Sequence, residues 1–412
     1  MLQFEKFTLS NGLKVLVYSD KTTPMAVVNI LYGVGARDED ENRTGFAHLF
    51  EHLMFGGSIN IPEFDTPLEK VGGENNAFTN NDITNYHITL PAQNIETAFW
   101  LESDRMLSLA FSEKSLEVQR KVVTEEFKQR YLNQPYGDAW LCLRPLAFTT
   151  HPYKWATIGK DISHIENATM SDVRAFYDKW YNPANAIMVV AGPLETESVK
   201  ALAEKWFGNI NKPHTASHNI LQEPEQNGKR EMTLEGDVPF RALYQAYHMP
   251  GRENPDYRIC DLISDLLSNG ASSRLYQNLV KEKNYFSNLN GYITGDYDPG
   301  LFIIQGELTN GYTFDDVIPA INFEIEEIKK GNFSDRELEK VKNKIESTFE
   351  FSKTSCLNNA MNLALYEWMG DADRINHEVE KYLAITKDDI CRVAKNIFRD
   401  ENLSQLLYEP LK

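Results

Sequence analysis

The stretch His48-Leu49-Phe50-Glu51-His52 decides how this chain is interpreted, because it places two histidines four residues apart with a glutamate directly before the second. On a helix, residues at positions i and i+4 point the same way, with Cβ atoms roughly 5–6 Å apart. The two imidazoles can therefore hold one metal ion, and Glu51 borders the same face. The order H-x-x-E-H inverts the better-known H-E-x-x-H zinc-binding order. The motif predicts a catalytic zinc centre.

The residues around the motif favour a metal site over two histidines that are merely packed in a core or exposed on a surface. The surrounding residues predict a helix that is apolar on most sides and therefore buried: Phe46, Leu49, Phe50, Leu53, Met54 and Phe55. Histidine and glutamate side chains facing such an interior need a partner or a metal. We expect the helix to begin after Thr44, a good N-cap residue, and to stop at Gly56-Gly57.

A third ligand is expected from residues 112–134, which read as one long helix. One face of this helix follows the i, i+3, i+4, i+7 spacing and contains Gln119, Val122, Val123, Glu126 and Arg130. Glu126 shares this stripe with two valines, whereas Glu125 is rotated by about 100°. We predict Glu126 as the third ligand and Glu125 as a surface or neighbouring charge. Three protein ligands leave a position for water on catalytic zinc, with Glu51 as its general base.

These motifs, in this order, resemble the inverzincin peptidases, the family of pitrilysin, insulin-degrading enzyme and the mitochondrial processing peptidase. The resemblance covers most of the chain and includes residues 11–15, 33–39, 72–79, 122–126 and 181–185. It implies one Zn²⁺ per chain bound by His48, His52 and Glu126, with Glu51 as general base. Many relatives have a glutamate where this chain has Gln119, which can still hydrogen-bond beside the ligands.

Residues 76–90 alternate loosely between polar and apolar side chains and predict a hairpin or an edge strand. An extended peptide can add to such an edge as a further strand. An ordinary sheet edge is the alternative. The family resemblance places this segment beside the zinc, so we predict Asn76, Ala77 and Phe78 as substrate-binding residues.

Size and composition limit the possible functions. The chain has 412 residues, 42% of them hydrophobic and 25% charged, with a formal net charge of −18. This charge argues against nucleic-acid binding, which needs a basic surface. The sequence contains no apolar run long enough for a transmembrane helix, and its four cysteines are too scattered for a disulfide scaffold. The first residues lack signal-peptide features, which predicts a cytoplasmic protein, or a periplasmic one if the chain has been trimmed.

The two halves of the chain resemble diverged copies of one unit. Residues 172–190 and 389–407 share one helix-then-strand pattern after a shift of 217 positions. Only the first half contains H-x-x-E-H. We therefore predict a catalytic zinc-binding domain at 1–212, a linker at 213–229 and a homologous non-metal domain at 230–412. The expected fold class is α+β, with two homologous α/β sandwich domains that each pack an antiparallel-rich sheet against helices.

The second half lacks one feature that members of the resembled family have. In the family, an arginine and a tyrosine seven residues apart follow an S-S-R-L-Y-like helix and contact the substrate. Here Lys281 stands near the arginine position, and lysine does not replace a planar arginine donor. Tyr285 does not fall at the position expected for the tyrosine. We expect a homologous partner subunit to supply the pair, or a second copy of this chain.

The leading functional prediction is a zinc endopeptidase acting on peptides or unfolded segments. The alternatives are a non-catalytic structural or chaperone-like subunit and a metal-binding module without hydrolysis.

Overall fold

The structure is a computed structural model that describes residues 1–211 and 217–411. Its strands form two sheets. The strands are β1 Glu5–Thr8, β2 Lys14–Ser19, β3 Met25–Tyr32, β4 Glu74–Thr79, β5 Thr84–Pro91, β6 Ala186–Gly192, β7 Arg230–Gly236, β8 Ala242–His248, β9 Phe286–Ile293, β10 Leu301–Leu308 and β11 Leu403–Pro410.

Helices connect and cover the two sheets. They are α1 Phe46–Leu53, α2 Asp65–Glu69, α3 Ile95–Ser108, α4 Glu113–Phe127, α5 Ala139–Ala147, α6 Ser163–Glu166, α7 Met170–Trp180, α8 Thr196–Phe207, α9 Asp256–Ser268, α10 Phe314–Lys330, α11 Asp335–Ser352, α12 Cys356–Trp368, α13 Glu378–Leu383 and α14 Lys387–Ile397. Within residues 1–211 and 217–411, none of the helices combines the length and the apolar content needed to span a lipid bilayer.

The first sheet has the strand order β1-β2-β6-β3-β5-β4. Its strands pair antiparallel except for β2 and β6, which are parallel. The central strands β3 and β6 are buried along almost their whole length. β4 is the last strand of the sheet and alternates between exposed and half-buried side chains. The expected hairpin at residues 76–90 is therefore present, with β4 at the sheet edge.

The second sheet repeats this topology with the order β7-β11-β8-β10-β9, and again only the pair β7–β11 is parallel. β6 begins at residue 186 and β11 at residue 403, which is the predicted shift of 217 positions. The preceding helices repeat in the same way, since Thr169 caps α7 and Thr386 caps α14 through identical capping boxes. The predicted α+β fold class with two homologous, antiparallel-rich sheets is confirmed.

The two compact units of the chain do not coincide with the two sequence halves, because each unit contains segments from both halves. Unit 1 comprises Met1–Phe127, Trp155–Ile220 and Phe349–His377, and unit 2 comprises Lys128–Lys154, Leu221–Thr348 and Glu378–Lys412. Helix α12, from the second half, packs on β6 and β3 of unit 1. Helix α5, from the first half, packs on β11 and β8 of unit 2.

The linear domain boundaries at 1–212, 213–229 and 230–412 remain a prediction about the sequence halves. Hydrophobic periodicity along the chain shows where a helix forms, but it cannot show which sheet the helix will cover. The exchange of α5 and α12 between the units was therefore not predicted. Residues 213–216 of the predicted linker lie outside the described residues.

Helix α5 provides part of the core of unit 2. Ala139, Leu143 and Ala147, spaced four residues apart, are fully buried against the strands. Their partners on β8 are residues at alternating positions, which face one side of the sheet: Ala242, Tyr244 and Ala246. Leu243 and Tyr247 face the other side and are also buried, so both faces of this sheet are covered.

Glu102 and Arg105 form one of the buried ion pairs inside unit 1. The Nε and Nη2 atoms of Arg105 donate to Glu102 at 2.8 and 2.6 Å, and both side chains are at most 1% exposed. The guanidinium also stacks near the rings of Tyr86 at 4.4 Å and Phe64 at 4.6 Å. Burial raises the pKa of Glu102, while Arg105 acts in the opposite direction. The two charges therefore depend on each other.

Replacing Arg105 alone should destabilise the protein, because it leaves the Glu102 carboxylate buried without its cation. Arg105→Leu is expected to lower the free energy of unfolding by roughly 3–5 kcal/mol. The double variant Glu102→Leu/Arg105→Leu should lose clearly less, since neither charge is then stranded. Urea unfolding measures both, with Lys205→Ala in the exposed Lys205–Glu96 pair as the control. A double variant no more stable than Arg105→Leu would contradict this interpretation.

Candidate metal centre

The helix of the H-x-x-E-H motif, α1, is fixed by packing on its apolar side. Leu49 and Phe50 are fully buried, and Phe46 and Leu53 are nearly so, as the sequence predicted. The ring of Phe50 stacks on Phe176 with ring centroids 5.1 Å apart. Packing of this kind sets the rotation of the helix about its axis, and therefore the direction in which the histidines point.

The start of α1 differs from the prediction. Gly45, with φ of 89°, is the N-cap residue, and no side chain of its own caps the helix. The predicted cap, Thr44, instead shares its hydroxyl with His164 Nδ1 at 2.9 Å. Glu39 caps the helix instead of Thr44: its carboxylate oxygens accept hydrogen bonds from the N–H groups of Gly45 and Ala47, each at 2.8 Å. A residue six positions before the N-cap residue cannot be recognised as the cap from local sequence patterns.

The three predicted ligands lie together. Nε2 of His52 is 3.4 Å from Oε2 of Glu126, and Nε2 of His48 is 3.7 Å from the same oxygen. The two imidazole rings lie 4.8 Å apart between centroids. His48 is 8% exposed, while the side chains of His52 and Glu126 are 25% and 20% exposed. Solvent therefore reaches His52 and Glu126 more than it reaches His48.

The donor set fits zinc. One ligand atom from each of His48, His52 and Glu126 lies within 4.8 Å of the others. Two imidazoles and one carboxylate are a known ligand set of catalytic zinc sites, which keep one position open. The geometry is consistent with the predicted ligands, whose roles remain a prediction.

Glu51 occupies the same helix, one residue before His52, and is half-buried. On the preceding residue of the helix, the carbonyl oxygen of Phe50 accepts a hydrogen bond from the hydroxyl of Tyr86 at 3.4 Å. Burial raises the pKa of Tyr86 well above its usual value, and the negative charge of Glu51 adds a smaller contribution in the same direction. Tyr86 therefore stays protonated and neutral.

The helix that carries Glu126 corrects part of the sequence interpretation. α4 ends at Phe127, and residues Lys128–Leu132 continue as a π-helix, so the stretch predicted as one regular helix changes its hydrogen-bonding pattern. Val123 is buried as expected, but Val122 is 44% exposed. The predicted face therefore includes an exposed valine, and Arg130 lies in the π-helix beyond the change of pitch, where the spacing of a regular helix no longer applies.

Two other predicted residues of α4 can be located. Gln119 is half-buried, two turns before Glu126. At i and i+7 the two residues share one face of a helix. Glu125 is exposed, as expected for the glutamate rotated away from the stripe. The hydrogen-bonding role of Gln119 remains a prediction.

The predicted substrate-binding residues lie on the edge strand β4, which packs against α1. Asn76 pairs with His87 of β5, and Ala77 pairs with Tyr86. Phe78 is 39% exposed although it is a large apolar residue. An edge strand next to the histidine helix is a suitable place for an extended peptide. Contact with a substrate remains a prediction.

Comparisons with known proteins agree with this arrangement. Residues 14–135 match the family model "Insulinase (Peptidase family M16)", and residues 167–345 match "Peptidase M16 inactive domain". The zinc protease PqqE of Helicobacter pylori is 30% identical over 98% of this chain and 93% of its own length. The chain belongs to peptidase family M16.

Other M16 relatives have the same extent. The uncharacterized zinc protease YmxG of Bacillus subtilis is 22% identical over 96% of both chains. The crystal structure of a protease from Helicobacter pylori superposes with a TM-score of 0.95 at 29% identity and covers 100% of both chains. The fold also covers 92% of the first half of the periplasmic protease PqqL from Escherichia coli, and 48% of the whole of that protein.

In this M16 chain the S-S-R-L-Y segment of the second half has a structural role. Arg274 pairs with Glu337 at 2.9 Å and with Glu324 at 3.4 Å. Lys281 is exposed, and the ring of Tyr285 packs edge-on against Tyr312 with centroids 4.9 Å apart. The phenol of Tyr285 is therefore part of an aromatic pair within unit 2.

Glu126→Gln should weaken zinc retention far more than Glu125→Gln, because only Glu126 reaches the two histidines. A neutral amide is a poor zinc ligand compared with a carboxylate. Dialysis of both variants followed by metal quantification decides the matter. Equal losses, or a loss confined to the exposed Glu125, would exclude Glu126 as a ligand.

Proposed function

We propose that this chain is a zinc-dependent endopeptidase that hydrolyses peptides or unfolded polypeptide segments, with Glu51 as its general base. The observation that carries the proposal is the meeting of His48, His52 and Glu126 within 4.8 Å, with Glu51 on the same helix. Membership of M16, and the zinc proteases among its relatives, support the metal and the class of reaction.

His48, His52 and Glu126 would hold the ion. Bound zinc acts as a Lewis acid that polarises the scissile carbonyl and makes water a better nucleophile at neutral pH. Glu51 then serves as the general base: its carboxylate takes a proton from the attacking water and returns it to the nitrogen of the leaving amine. A carboxylate close to the ligands but outside the ligand set suits this role, since a coordinated carboxylate could not accept the proton as freely.

The substrate would bind as an extended strand along β4. Main-chain hydrogen bonds to an edge strand recognise the backbone of a peptide more than its side chains. Asn76 and Ala77 would align the peptide, and the exposed ring of Phe78 would cover one of its apolar side chains. Such binding favours flexible peptides, because a folded protein does not offer a free strand of this kind.

Glu51→Gln tests the mechanism. The variant should keep its zinc, because the ligands are unchanged, and it should lose peptide hydrolysis by about 10²–10⁴-fold. Turnover of a fluorogenic unstructured peptide is measured together with metal content, and the exposed Glu197→Gln serves as a matched control. Near-normal turnover of Glu51→Gln would remove this residue from the mechanism.

The same assay separates the alternative functions. A non-catalytic, structural or chaperone-like subunit would show no zinc-dependent turnover in any assembly, and Glu51→Gln would then change nothing. A metal-binding module would bind zinc as tightly in both forms without cleaving peptide. The presence of the complete set of two histidines, the ligand glutamate and the base favours the catalytic function, because Glu51 has no use in the other two.

We also propose that a second M16 subunit completes the active enzyme, either a homologue that supplies an arginine and a tyrosine or another copy of this chain. Lys281 lacks the planar, two-pronged donor of arginine, and Tyr285 packs on Tyr312. The correspondence of this chain to about half of PqqL supports an assembly of two such chains.

The isolated chain should cleave an unstructured peptide weakly and gain activity when a homologous partner is added. A peptide held from one side is poorly positioned, and poor positioning alone can cost orders of magnitude in rate. Zinc content should stay the same, since the ligands lie within one unit. Turnover is compared for the chain alone and with a homologue that co-purifies from the native host. Full activity of a verified monomer, unchanged by any partner, would refute this proposal.

A further inference from the structure

The connection between β3 and α1 buries two charged residues. Within residues 35–39, which we call the connecting loop, Arg37 is 6% exposed and Glu39 is 8% exposed. Arginine and glutamate are rarely buried unless each has a partner. Their partners lie on two different elements of unit 1, the turn between β4 and β5 and the metal helix α1.

The first part of the connecting loop holds the turn between β4 and β5. The N–H of Ala36 donates to the carbonyl oxygen of Asn80 at 3.1 Å, and the N–H of Arg37 donates to that of Asn81 at 2.9 Å. The guanidinium of Arg37 also pairs with the carboxylate of Asp82 at 3.1 Å, and both side chains are at most 7% exposed. These bonds fix the turn, and with it the end of the edge strand β4.

Gly35 shows how closely the connecting loop approaches the turn. A Cβ atom at this position would lie 2.4 Å from the backbone nitrogen of Asp82 and 2.5 Å from the carbonyl oxygen of Asn81. These separations are far below van der Waals contact, so a side chain does not fit here. Because the two backbones touch, a shift of the turn also shifts the connecting loop.

Glu39, at the other end of the connecting loop, holds the metal helix. Its carboxylate oxygens accept the N–H groups of Gly45 and Ala47, each at 2.8 Å, and His48 follows directly. Glu39 lies two positions after Arg37, so their Cα atoms are at most about 7 Å apart. The contacts to the turn and to α1 therefore come from neighbouring points of one short segment.

Trp155 holds the middle of the connecting loop. Its indole Nε1 donates to the carbonyl oxygen of Ala36 at 2.9 Å, and the side chain is 4% exposed. A segment that is buried and hydrogen-bonded along its length has little freedom to open locally. The connecting loop therefore links the turn to the helix without slack.

We propose that the connecting loop aligns the substrate strand β4 with the metal helix α1, with Glu39 and Arg37 as positioning residues. Glu39 sets the place from which His48 projects, and Arg37 sets the end of β4 through Asp82. This inference rests on the proposed function, because the alignment matters only if a peptide binds along β4. A misplacement of about 1 Å can cost about 10²-fold in rate, which gives the two buried charges a use.

Two affinities test the two ends of the connecting loop. Every protein carries Glu51→Gln, which removes the proposed base, and is measured for zinc by chelator competition and for a fluorescent unstructured peptide by anisotropy. Glu39→Gln should weaken zinc binding about tenfold or more, because an amide accepts at one atom only and turns a donor toward the second N–H. Asp82→Asn should weaken peptide binding at least threefold and change zinc binding less than twofold.

Thr169→Ala is the matched control for Glu39→Gln. It removes the side-chain cap of α7 in the same unit and leaves the first turn of α1 intact. Its zinc affinity should stay within twofold of the reference protein. An equal loss of zinc affinity in Thr169→Ala and Glu39→Gln would show that lost stability alone is the cause, and it would overturn the role of Glu39.

The alignment itself is tested by the coupling between the two ligands. Zinc-loaded protein should bind the peptide at least threefold more tightly than metal-free protein, because an aligned strand brings a peptide carbonyl to the ion. Gly35→Ala forces the connecting loop away from the turn, so it should remove the coupling while each ligand alone binds as before. If this variant does not fold, Trp155→Phe, which frees the carbonyl of Ala36, should reduce the coupling in its place.

Several results would overturn the proposal. They are normal zinc binding by Glu39→Gln, equal losses of both affinities in Asp82→Asn, a reference protein without coupling, and coupling that survives in the loop variant. Hydrolysis by the wild-type chain is assayed separately. Its absence with the coupling intact would refute the proposed peptidase and leave the alignment standing.

Discussion

The carboxylate of Glu39 holds the first turn of α1, and the geometry of the metal centre depends on this contact. Its two oxygens accept the N–H groups of Gly45 and Ala47, which a helix cannot satisfy within itself at its first turn. Burial raises the pKa of Glu39 well above its usual value, although both backbone donors act against this. His48 follows one residue after Ala47, so the cap fixes the position from which the first imidazole projects.

The two halves show what duplication preserves and what it changes. Strand order, the single parallel pair and the capping boxes of α7 and α14 recur in both copies. The side chains at the meeting of helix and edge strand differ. The first copy places His48, Glu51 and His52 on α1, while the second places carboxylates and hydroxyls such as Asp261, Ser264 and Asp265 on α9. The backbone therefore packs a helix on an edge strand in both copies, and the side chains at that place determine its chemistry.

The sequence predicted the parts of this protein that depend on local patterns. The alternation of strands, the apolar helix around His48 and the repeat of 217 positions all follow from short-range periodicity, and all are present. The position of Glu126 followed from helical spacing even though Val122 on the same stripe proved exposed. That spacing identifies a face of the helix, but only tertiary packing decides whether the face is covered.

Contacts between residues distant in sequence were the ones that could not be predicted. Glu39 lies in a charged loop with no pattern to connect it to the start of α1. Similarly, the pairing of Glu102 with Arg105 follows helical spacing, but only the fold brings the rings of Tyr86 and Phe64 to the guanidinium. Nothing in the sequence pattern indicated the π-helix after Phe127. The change of pitch there moved Arg130 away from the predicted stripe.

The exchange of α5 and α12 has a consequence for how such a molecule could have arisen. Suppose that the two halves descend from one ancestral gene. In a monomer of that ancestor, the sheet surface that is now covered by a helix of the other half would have been exposed. We infer that the ancestor was a domain-swapped dimer, in which each copy packed one helix on the sheet of the other. Fusion of two such genes would keep this exchange of helices within one chain.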